Sequence, residues 1–338
     1  MTETEILASL QKGEYAPIYF LQGDEPFYID QISDYIEQNV LSETEKGFNQ
    51  TIMYGKDSNM VDVLNNAKRF PMMSERQVVL VKEAQNLADF KNEQGRDLLE
   101  AYCQHPVPST VLVFCYKYGS LNGTTRLAKT LKKSSVFLTT KAIRDYQLPD
   151  WIKSFMASKG LKATEKAVQL LADHIGTNLE RQSNEINKLM INVKEGTLID
   201  DNIIDKYVGI NKDYNVFELQ KAIVTRDVLK ANRIVKYFGA NPKEHHPIPI
   251  IALLYGLFSR VLKTHYVKEK SSSALASALK ISPYVANDYL LAARNYPLPK
   301  VLDNIGFLQK ADLVVKGVES SPVKEEYILK QLVFELIH

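Results

Sequence analysis

The chain has 338 residues, and its 42 lysines and arginines nearly balance its 40 aspartates and glutamates, leaving a formal charge of +2. Hydrophobic residues make up 45% of the chain and charged residues 24%, which is typical of a globular protein and excludes a disordered or collagen-like chain. At about 100 to 200 residues per domain, this length predicts two or three domains.

Neither a membrane segment nor a metal site is expected from the sequence. No apolar run reaches the roughly 18 to 20 residues that a membrane span needs, and the acidic residues 2–5 do not resemble a secretion signal, so we expect a cytoplasmic protein. Cys103 and Cys115 are too few for a disulfide framework. Together with six scattered histidines they form no spaced metal cluster, so we expect no metal and no cofactor.

Strand and helix patterns alternate in the first region, residues 1–140. An apolar run at 17–21 ends near Gly23 and is followed by apolar residues at helical spacing from Tyr28 to Val40. The same order recurs with a helix over 60–67 before a strand at 77–81, and with a helix around 98–102 before a strand at 110–114. This alternation favours an α/β domain with a parallel sheet flanked by helices.

Helical spacing dominates from about residue 141 to the C terminus, with a second boundary near Gly209. In the middle region, 141–210, we predict helices over 167–175, 179–190 and 196–208, the second starting at a capping box of Thr177 and Glu180. The last region, 211–338, predicts five or so helices, including 216–224, 228–238, 250–266, 274–279 and 301–315. Its small basic excess is explained more simply by a solvated surface than by a nucleic-acid site.

A sheet that opens with strand, glycine turn and helix resembles a nucleotide-binding domain, which needs a phosphate loop with a lysine and a hydroxyl. The segment around Gly23, Asp24 and Glu25 lacks both the lysine and the hydroxyl. Its carboxylates at the helix N terminus would also repel a phosphate. We predict that Asp24 caps the helix instead. The next predicted strand is followed by Lys82 and then Glu83. The lysine puts a cation where a magnesium-binding acid would stand. These residues therefore predict the fold of a nucleotide-binding domain without its chemistry.

Several segments together resemble the delta subunit of the bacterial DNA polymerase III clamp loader. They follow the family's order along the chain, at residues 18–25, 70–81, 176–179, 184–189, 217–223, 276–285, 312 and 316–317. The resemblance implies an AAA+-like domain with a RecA-type parallel sheet at 1–140, a small helical lid domain at 141–210 and an all-α collar domain at 211–338.

The resemblance also implies a function in DNA replication. Such a subunit binds and opens the ring-shaped beta sliding clamp, so that the loader can place it on primed DNA. Its partners are the clamp and the gamma/tau and delta prime subunits, and the neighbouring subunits hydrolyse ATP. The chain would then be a non-catalytic part of an assembly with DNA-directed DNA polymerase activity, a nucleotidyltransferase, in the cytoplasm at the nucleoid.

In this family, two adjacent apolar residues before the second predicted strand contact the clamp, and by position these are Met72 and Met73. The full predicted set is Phe70, Pro71, Met72, Met73, Ser74 and Arg76. The predicted helix ends before Pro71 and the strand begins near Val78, so the methionines lie in a connection, where a flexible thioether suits a partner's pocket. Pro71 biases Phe70 away from helical geometry, so the sequence leaves open whether Phe70 belongs to this contact. The alternative is that Phe70, Met72 and Met73 all pack under the sheet.

Parts of the sequence fit two other classes of function. The first is a DNA-binding regulator, because residues 274–285 resemble a helix-turn-helix. The helix after Pro283 offers only Tyr284, Asn287 and Asp288 before apolar residues, which is a poor set for contacting base edges, so packing within the collar explains it better.

The second class is a hydrolase or transferase. His245 and His246 follow Glu244 in a proline-flanked loop without an acidic partner at helical spacing, and we find near neither cysteine a histidine or basic cluster that would lower its thiol pKa. A solvated loop and buried thiols explain these residues better. Lys129, Lys132 and Lys133 are candidates to approach DNA in the loader, although a solvated helix end explains them more simply.

Overall fold

A computed structural model describes residues 1–194, 196–209, 214–242, 245–281, 283–319 and 325–338. It divides the chain into two compact units, Met1–Ile143 and Arg144–His338. The second boundary expected from the sequence falls at 210–213, outside the described residues.

A five-stranded parallel sheet forms the centre of the first unit. Its strands are β1 (Ile18–Gly23), β2 (Gln50–Tyr54), β3 (Gln77–Lys82), β4 (Thr110–Lys117) and β5 (Val136–Thr140). They lie in the order β2-β3-β4-β1-β5, with every neighbouring pair parallel. The three central strands are the continuous apolar runs predicted from the sequence, because both of their faces are buried. The two edge strands, β2 and β5, were not predicted.

Helices cover both faces of this sheet. They are α1 (Glu3–Gln11), α2 (Pro26–Asn39), α3 (Glu43–Asn49), α4 (Met60–Ala67), α5 (Glu93–Gln104) and α6 (Arg126–Ser134). Successive residues of β1 face opposite sides, as in any strand. Phe20 packs in the cluster that holds Met60 of α4, whereas Tyr19 packs in the cluster that holds Ile32 of α2.

The second unit begins with a small group of helices. They are α7 (Leu148–Ser158), α8 (Glu165–Ile175), α9 (Leu179–Asn192) and α10 (Asp201–Val208), and they are joined by paired two-residue strands, β6 (Lys162–Ala163) and β7 (Leu198–Ile199). The helix predicted over 196–208 is therefore wrong at its start, because Leu198 and Ile199 pair with β6. The predicted cap of α9 is also wrong by one residue, since the Asn178 Oδ1 accepts the Arg181 N–H at 2.9 Å.

Seven further helices follow in the described part of the second unit. They are α11 (Val216–Val224), α12 (Val228–Ala240), α13 (Pro247–Tyr266), α14 (Ser272–Leu279), α15 (Pro283–Asn295), α16 (Leu298–Val315) and α17 (Glu325–Ile337). Their buried apolar residues form one cluster. The all-helical prediction for this region is confirmed, with more helices than expected.

One described helix, α13, is long and apolar enough to cross a membrane by length and composition, which corrects the expectation that no such run exists. Its buried residues include Ile250, Leu254, Phe258 and Val261, which recur every three or four positions. All four belong to the hydrophobic cluster of the second unit. This pattern is that of a helix that packs one face on the helical core.

Candidate functional site

The connection between α4 and β3, residues 68–76, carries the predicted clamp-binding residues at the surface. Phe70 is 84% exposed, Met72 is 54% exposed and Met73 is fully exposed. None of the three side chains packs in the core of the first unit. The connection therefore presents a group of apolar side chains that are available to a partner.

The backbone at the tip of this connection has an unusual conformation. Met73 has φ 53°, in the left-handed region that non-glycine residues adopt at a cost of roughly 1 to 2 kcal/mol. The tip is tied to α3, because the buried Asn49 amide accepts the Met72 N–H at 2.6 Å and donates to the Met72 carbonyl at 2.9 Å. The Arg76 guanidinium lies 5.2 Å from the centre of the Tyr15 ring, a cation–π contact.

The base of the connection is fixed by a buried glutamine. Gln77 Nε2 donates to the carbonyls of Ala67 at 3.3 Å and of Arg69, and to Thr110 Oγ1 at 2.8 Å. Thr110 Oγ1 in turn donates to the Ala67 carbonyl at 2.8 Å. These bonds satisfy carbonyls at the C-terminal end of α4 and join it to the first residues of β3 and β4. The base of the connection is therefore hydrogen-bonded to both strands.

The turn between β1 and α2 uses its own amides where a phosphate loop would offer them. The Asp24 N–H donates to the Thr140 carbonyl at 3.2 Å, the Glu25 N–H to Thr140 Oγ1 at 3.3 Å and the Phe27 N–H to the Glu25 carboxylate at 3.1 Å. Pro26 has no N–H. The predicted cap is thus wrong by one residue, since Glu25 caps α2 and Asp24 is exposed.

Gly23 brings this turn against the end of β5. Its φ is +137°, and a Cβ added there would lie 2.1 Å from the Thr140 carbonyl oxygen. The Glu25 carboxyl is buried beside it, and this burial raises its pKa, partly opposed by the hydrogen bond from the Phe27 amide. The amides of Asp24, Glu25 and Phe27, which a phosphate loop would offer to a ligand, are thus engaged within the chain, and a carboxyl group is buried beside them.

Ion pairs occupy the carboxyl ends of the central strands. Lys82, at the end of β3, pairs with Glu37 at 2.8 Å, and Lys117, at the end of β4, pairs with Asp30 at 2.6 Å. Desolvation acts to lower the pKa of Lys82, but its hydrogen bond to Glu37 and the nearby carboxylates raise it overall, so Lys82 carries a positive charge. Glu83 follows in a left-handed conformation and accepts from the Asn86 amide at 3.1 Å.

The helix-turn-helix candidate turns its second helix toward the core of the second unit. Ala286, Tyr289 and Ala292 of α15 are buried. The Asn287 amide oxygen accepts from the Ser272 hydroxyl, and burial raises the pKa of Asp288. Residue 282 lies outside the described residues, as do the side chains of residues 283 and 284. Asn287, Tyr289 and Asn295 thus hydrogen-bond within the unit, whereas Arg294 is exposed.

The remaining candidates do not converge on a reactive centre. Burial raises the pKa of the Cys103 thiol to about 11 and that of Cys115 to about 12, so both thiols are protonated at neutral pH. His245 stacks on Phe238 with ring centres 4.3 Å apart, and Glu244 lies outside the described residues. Over the described ranges, no three acidic, histidine or cysteine side chains are grouped to hold a metal.

Asn49 and Thr140 shape these sites, and sequence reasoning missed both. Each acts through hydrogen bonds to residues distant in the chain, Asn49 to Met72 and Thr140 to Gln22 and Glu25. No local pattern marks either residue, because Asn49 lies directly before β2 and Thr140 ends β5, and neither edge strand is continuously buried.

The first unit, with this strand order and helices on both faces of the sheet, defines an AAA+-like domain of RecA type. Residues 19–141 match the family model described as DNA polymerase III, delta subunit, and residues 213–336 match that of the DNA polymerase III delta subunit, C-terminal domain. The chain belongs to the family of DNA polymerase III delta subunits, which are clamp-loader subunits.

A relative and a solved structure, both from Bacillus subtilis, show the same relationship. The DNA polymerase III subunit delta of strain 168 is 29% identical over 292 residues, covering 83% of this chain and 82% of that protein. The solved structure of the DNA clamp loader delta protein (YqeN) is similar with a TM-score of 0.62 and 25% identity, covering 99% of each chain. The fold class predicted from the sequence is confirmed.

Proposed function

We propose that this delta subunit binds the beta sliding clamp through the exposed connection at residues 70–76 and opens the ring for loading onto primed DNA. The observation that carries the proposal is the exposure of Met72 and Met73 on a connection that is hydrogen-bonded at its base and its tip. Apolar side chains that a hydrogen-bonded backbone holds outside the core are suited to insert into a hydrophobic pocket of a partner.

The flanking residues have distinct parts in the proposed contact. Phe70 and Pro71 extend the apolar surface on the N-terminal side of the methionines. Ser74 and Arg76 shape the return to β3, since the Ser74 hydroxyl donates to the Arg76 carbonyl at 3.1 Å and accepts the Arg76 N–H at 3.3 Å. We propose that Phe70 belongs to the clamp contact, because its ring lies outside the core.

We further propose that the chain neither binds nor hydrolyses ATP and that neighbouring subunits supply this step. The engaged amides at Asp24, Glu25 and Phe27, together with the Lys82–Glu37 ion pair, support the proposal. Titration calorimetry of the purified chain with magnesium ATP tests it. No heat of binding is expected up to millimolar nucleotide, and saturable binding at micromolar concentration would contradict it.

The C-terminal part of the second unit is proposed to be the collar, which joins the gamma/tau and delta prime subunits, with residues 141–210 as the lid. Tyr327 and Phe334 of α17 are exposed and lie seven residues apart, so they share one face of that helix. Exposed aromatic side chains of this kind are typical of an assembly surface. Within such a loader, in the cytoplasm at the nucleoid, the exposed Lys129, Lys132 and Lys133 of α6 are candidates to contact DNA.

Size-exclusion chromatography of the full chain with its cognate clamp tests the central proposal. We expect the two proteins to elute together as a complex at micromolar concentration. Separate elution at every concentration tested, with both proteins folded by circular dichroism, would overturn clamp binding. Addition of magnesium ATP is expected to leave the elution unchanged.

A further inference from the structure

The methionine tip of the clamp-binding connection is held by one side chain from a different helix. Asn49, the last residue of α3, is almost fully buried. Its Oδ1 accepts the Met72 N–H at 2.6 Å, while its Nδ2 donates to the Met72 carbonyl at 2.9 Å and to the Glu45 carbonyl at 3.2 Å. One side-chain amide thus pairs with both polar backbone groups of Met72, much as a neighbouring strand would.

The residue after Met73 is held within the connection itself. The Ser74 hydroxyl donates to the Arg76 carbonyl at 3.1 Å and accepts the Arg76 N–H at 3.3 Å. The backbone is therefore held by α3 immediately before Met73 and by the return to β3 immediately after it. Met73 itself keeps a left-handed backbone, a conformation that persists only where the surrounding structure imposes it.

We propose that Asn49 is a positioning residue for the clamp contact, which holds Met72 and Met73 in the conformation that the clamp binds. This inference rests on the proposed function of the methionine pair. Two exposed thioethers on an unrestrained connection would sample many conformations, and binding would then have to order them. A connection ordered in advance avoids that entropic cost, so Asn49 raises affinity without contacting the partner.

Substitution Asn49→Ala in the full chain tests the proposal, with hydrogen exchange and clamp affinity as readouts. Exchange across residues 68–76 of the free protein is expected to become faster, because the Met72 amide loses its acceptor. Clamp affinity is expected to fall about tenfold, which corresponds to about 1.4 kcal/mol. Where the alanine variant does not fold, Asn49→Asp takes its place, since it is close in size yet puts a carboxylate against the Met72 carbonyl.

A matched control separates positioning from a general loss of stability. Asn304 in α16 is also buried, and its Nδ2 donates to the Leu336 carbonyl at 2.9 Å, far from the connection in sequence and in the other unit. Asn304→Ala is expected to lower the melting temperature and to leave clamp affinity within about twofold of the starting protein, a change of less than about 0.5 kcal/mol.

The decisive comparison is a double-mutant cycle with Met72→Ala and Met73→Ala. With the methionines removed, Asn49→Ala should weaken clamp binding no further, because nothing is left to position. An equal loss in both backgrounds, or unchanged exchange at residues 68–76, would overturn the proposal. If the methionine substitutions alone leave affinity intact, the proposed clamp contact fails instead. If they weaken binding while Asn49→Ala does not, only the positioning role fails.

Discussion

Replacing Met72 and Met73 by alanine removes the apolar tip of the connection while leaving its backbone bonds in place. In a core, each methionine truncation would cost about 2 to 5 kcal/mol of stability. Met73 is fully exposed and Met72 is 54% exposed, so little of this cost applies to the free chain. Full burial of one methionine side chain in a partner contributes about 1.5 to 3 kcal/mol. With a smaller share from Met72, the pair should contribute about 2 kcal/mol or more, or roughly thirtyfold in affinity.

Surface plasmon resonance on the immobilised clamp and differential scanning calorimetry of the free variant measure the two effects separately. The matched control is Met190→Ala with Ile191→Ala, an adjacent pair of exposed apolar residues on α9 of the second unit. The control should leave clamp affinity unchanged. A methionine variant that melts many degrees lower, or that keeps full affinity, would refute the reasoning and direct attention to Phe70 and Arg76.

Three further predictions concern the fold around the site. The first unit alone, residues 1–143, has its own sheet and hydrophobic clusters, so it should bind the clamp with near-native affinity. It should fail to elute with the other loader subunits, and co-elution with them would contradict the collar assignment. Gly23→Ala should lower the unfolding free energy by about 2 to 4 kcal/mol in urea titrations. The Cβ of the alanine would meet the Thr140 carbonyl, and the φ angle at this position favours glycine. A change below the error of the titration would be inconsistent with that contact. Burial raises the pKa of Asp173 to about 7, so the folded state holds this proton more tightly than the unfolded chain and stability falls as pH rises from about 4 to 7. At about 1.4 kcal/mol for each pH unit between 4 and 7, Asp173→Asn should therefore stabilise the protein by about 4 kcal/mol at pH 8 and hardly at pH 4, and an equal effect at both pH values would argue against the raised pKa.

Strong hydrophobic patterns made the central elements predictable. The apolar runs of β1, β3 and β4 are buried on both faces, which leaves a continuous signal in the sequence. The edge strand β2 has exposed residues such as Tyr54 and no such run, so its existence depends on pairing with β3 rather than on its own composition.

Helix starts were harder to predict than helices. Both Asp24 and Glu25 are residues able to cap α2, and packing against Thr140 selects Glu25. At α10, pairing of Leu198 and Ile199 with β6 delays the helix to Asp201. Contacts across long sequence separations decided each case, and no local pattern encodes them.

The connection at residues 68–76 was likewise predictable only in part. The family resemblance indicated Met72 and Met73, and the pattern agreed with it, because the helix face ends and the strand core begins on either side of them. Sequence could not reveal the left-handed backbone of Met73 or the amide of Asn49 that holds Met72, since these depend on α3 lying beside the tip.

Methionine oxidation footprinting of the full chain with and without its cognate clamp tests clamp binding through this tip most directly. Met72 and Met73 are exposed in the free chain, and Met1 and Met190 are exposed elsewhere and serve as internal references. We predict that saturating clamp slows the oxidation of Met72 and Met73 at least fivefold, on the order of 1 kcal/mol of protection, and leaves Met1 and Met190 unchanged. Oxidation of Met73 at the same rate in the bound and free chain would contradict the central claim.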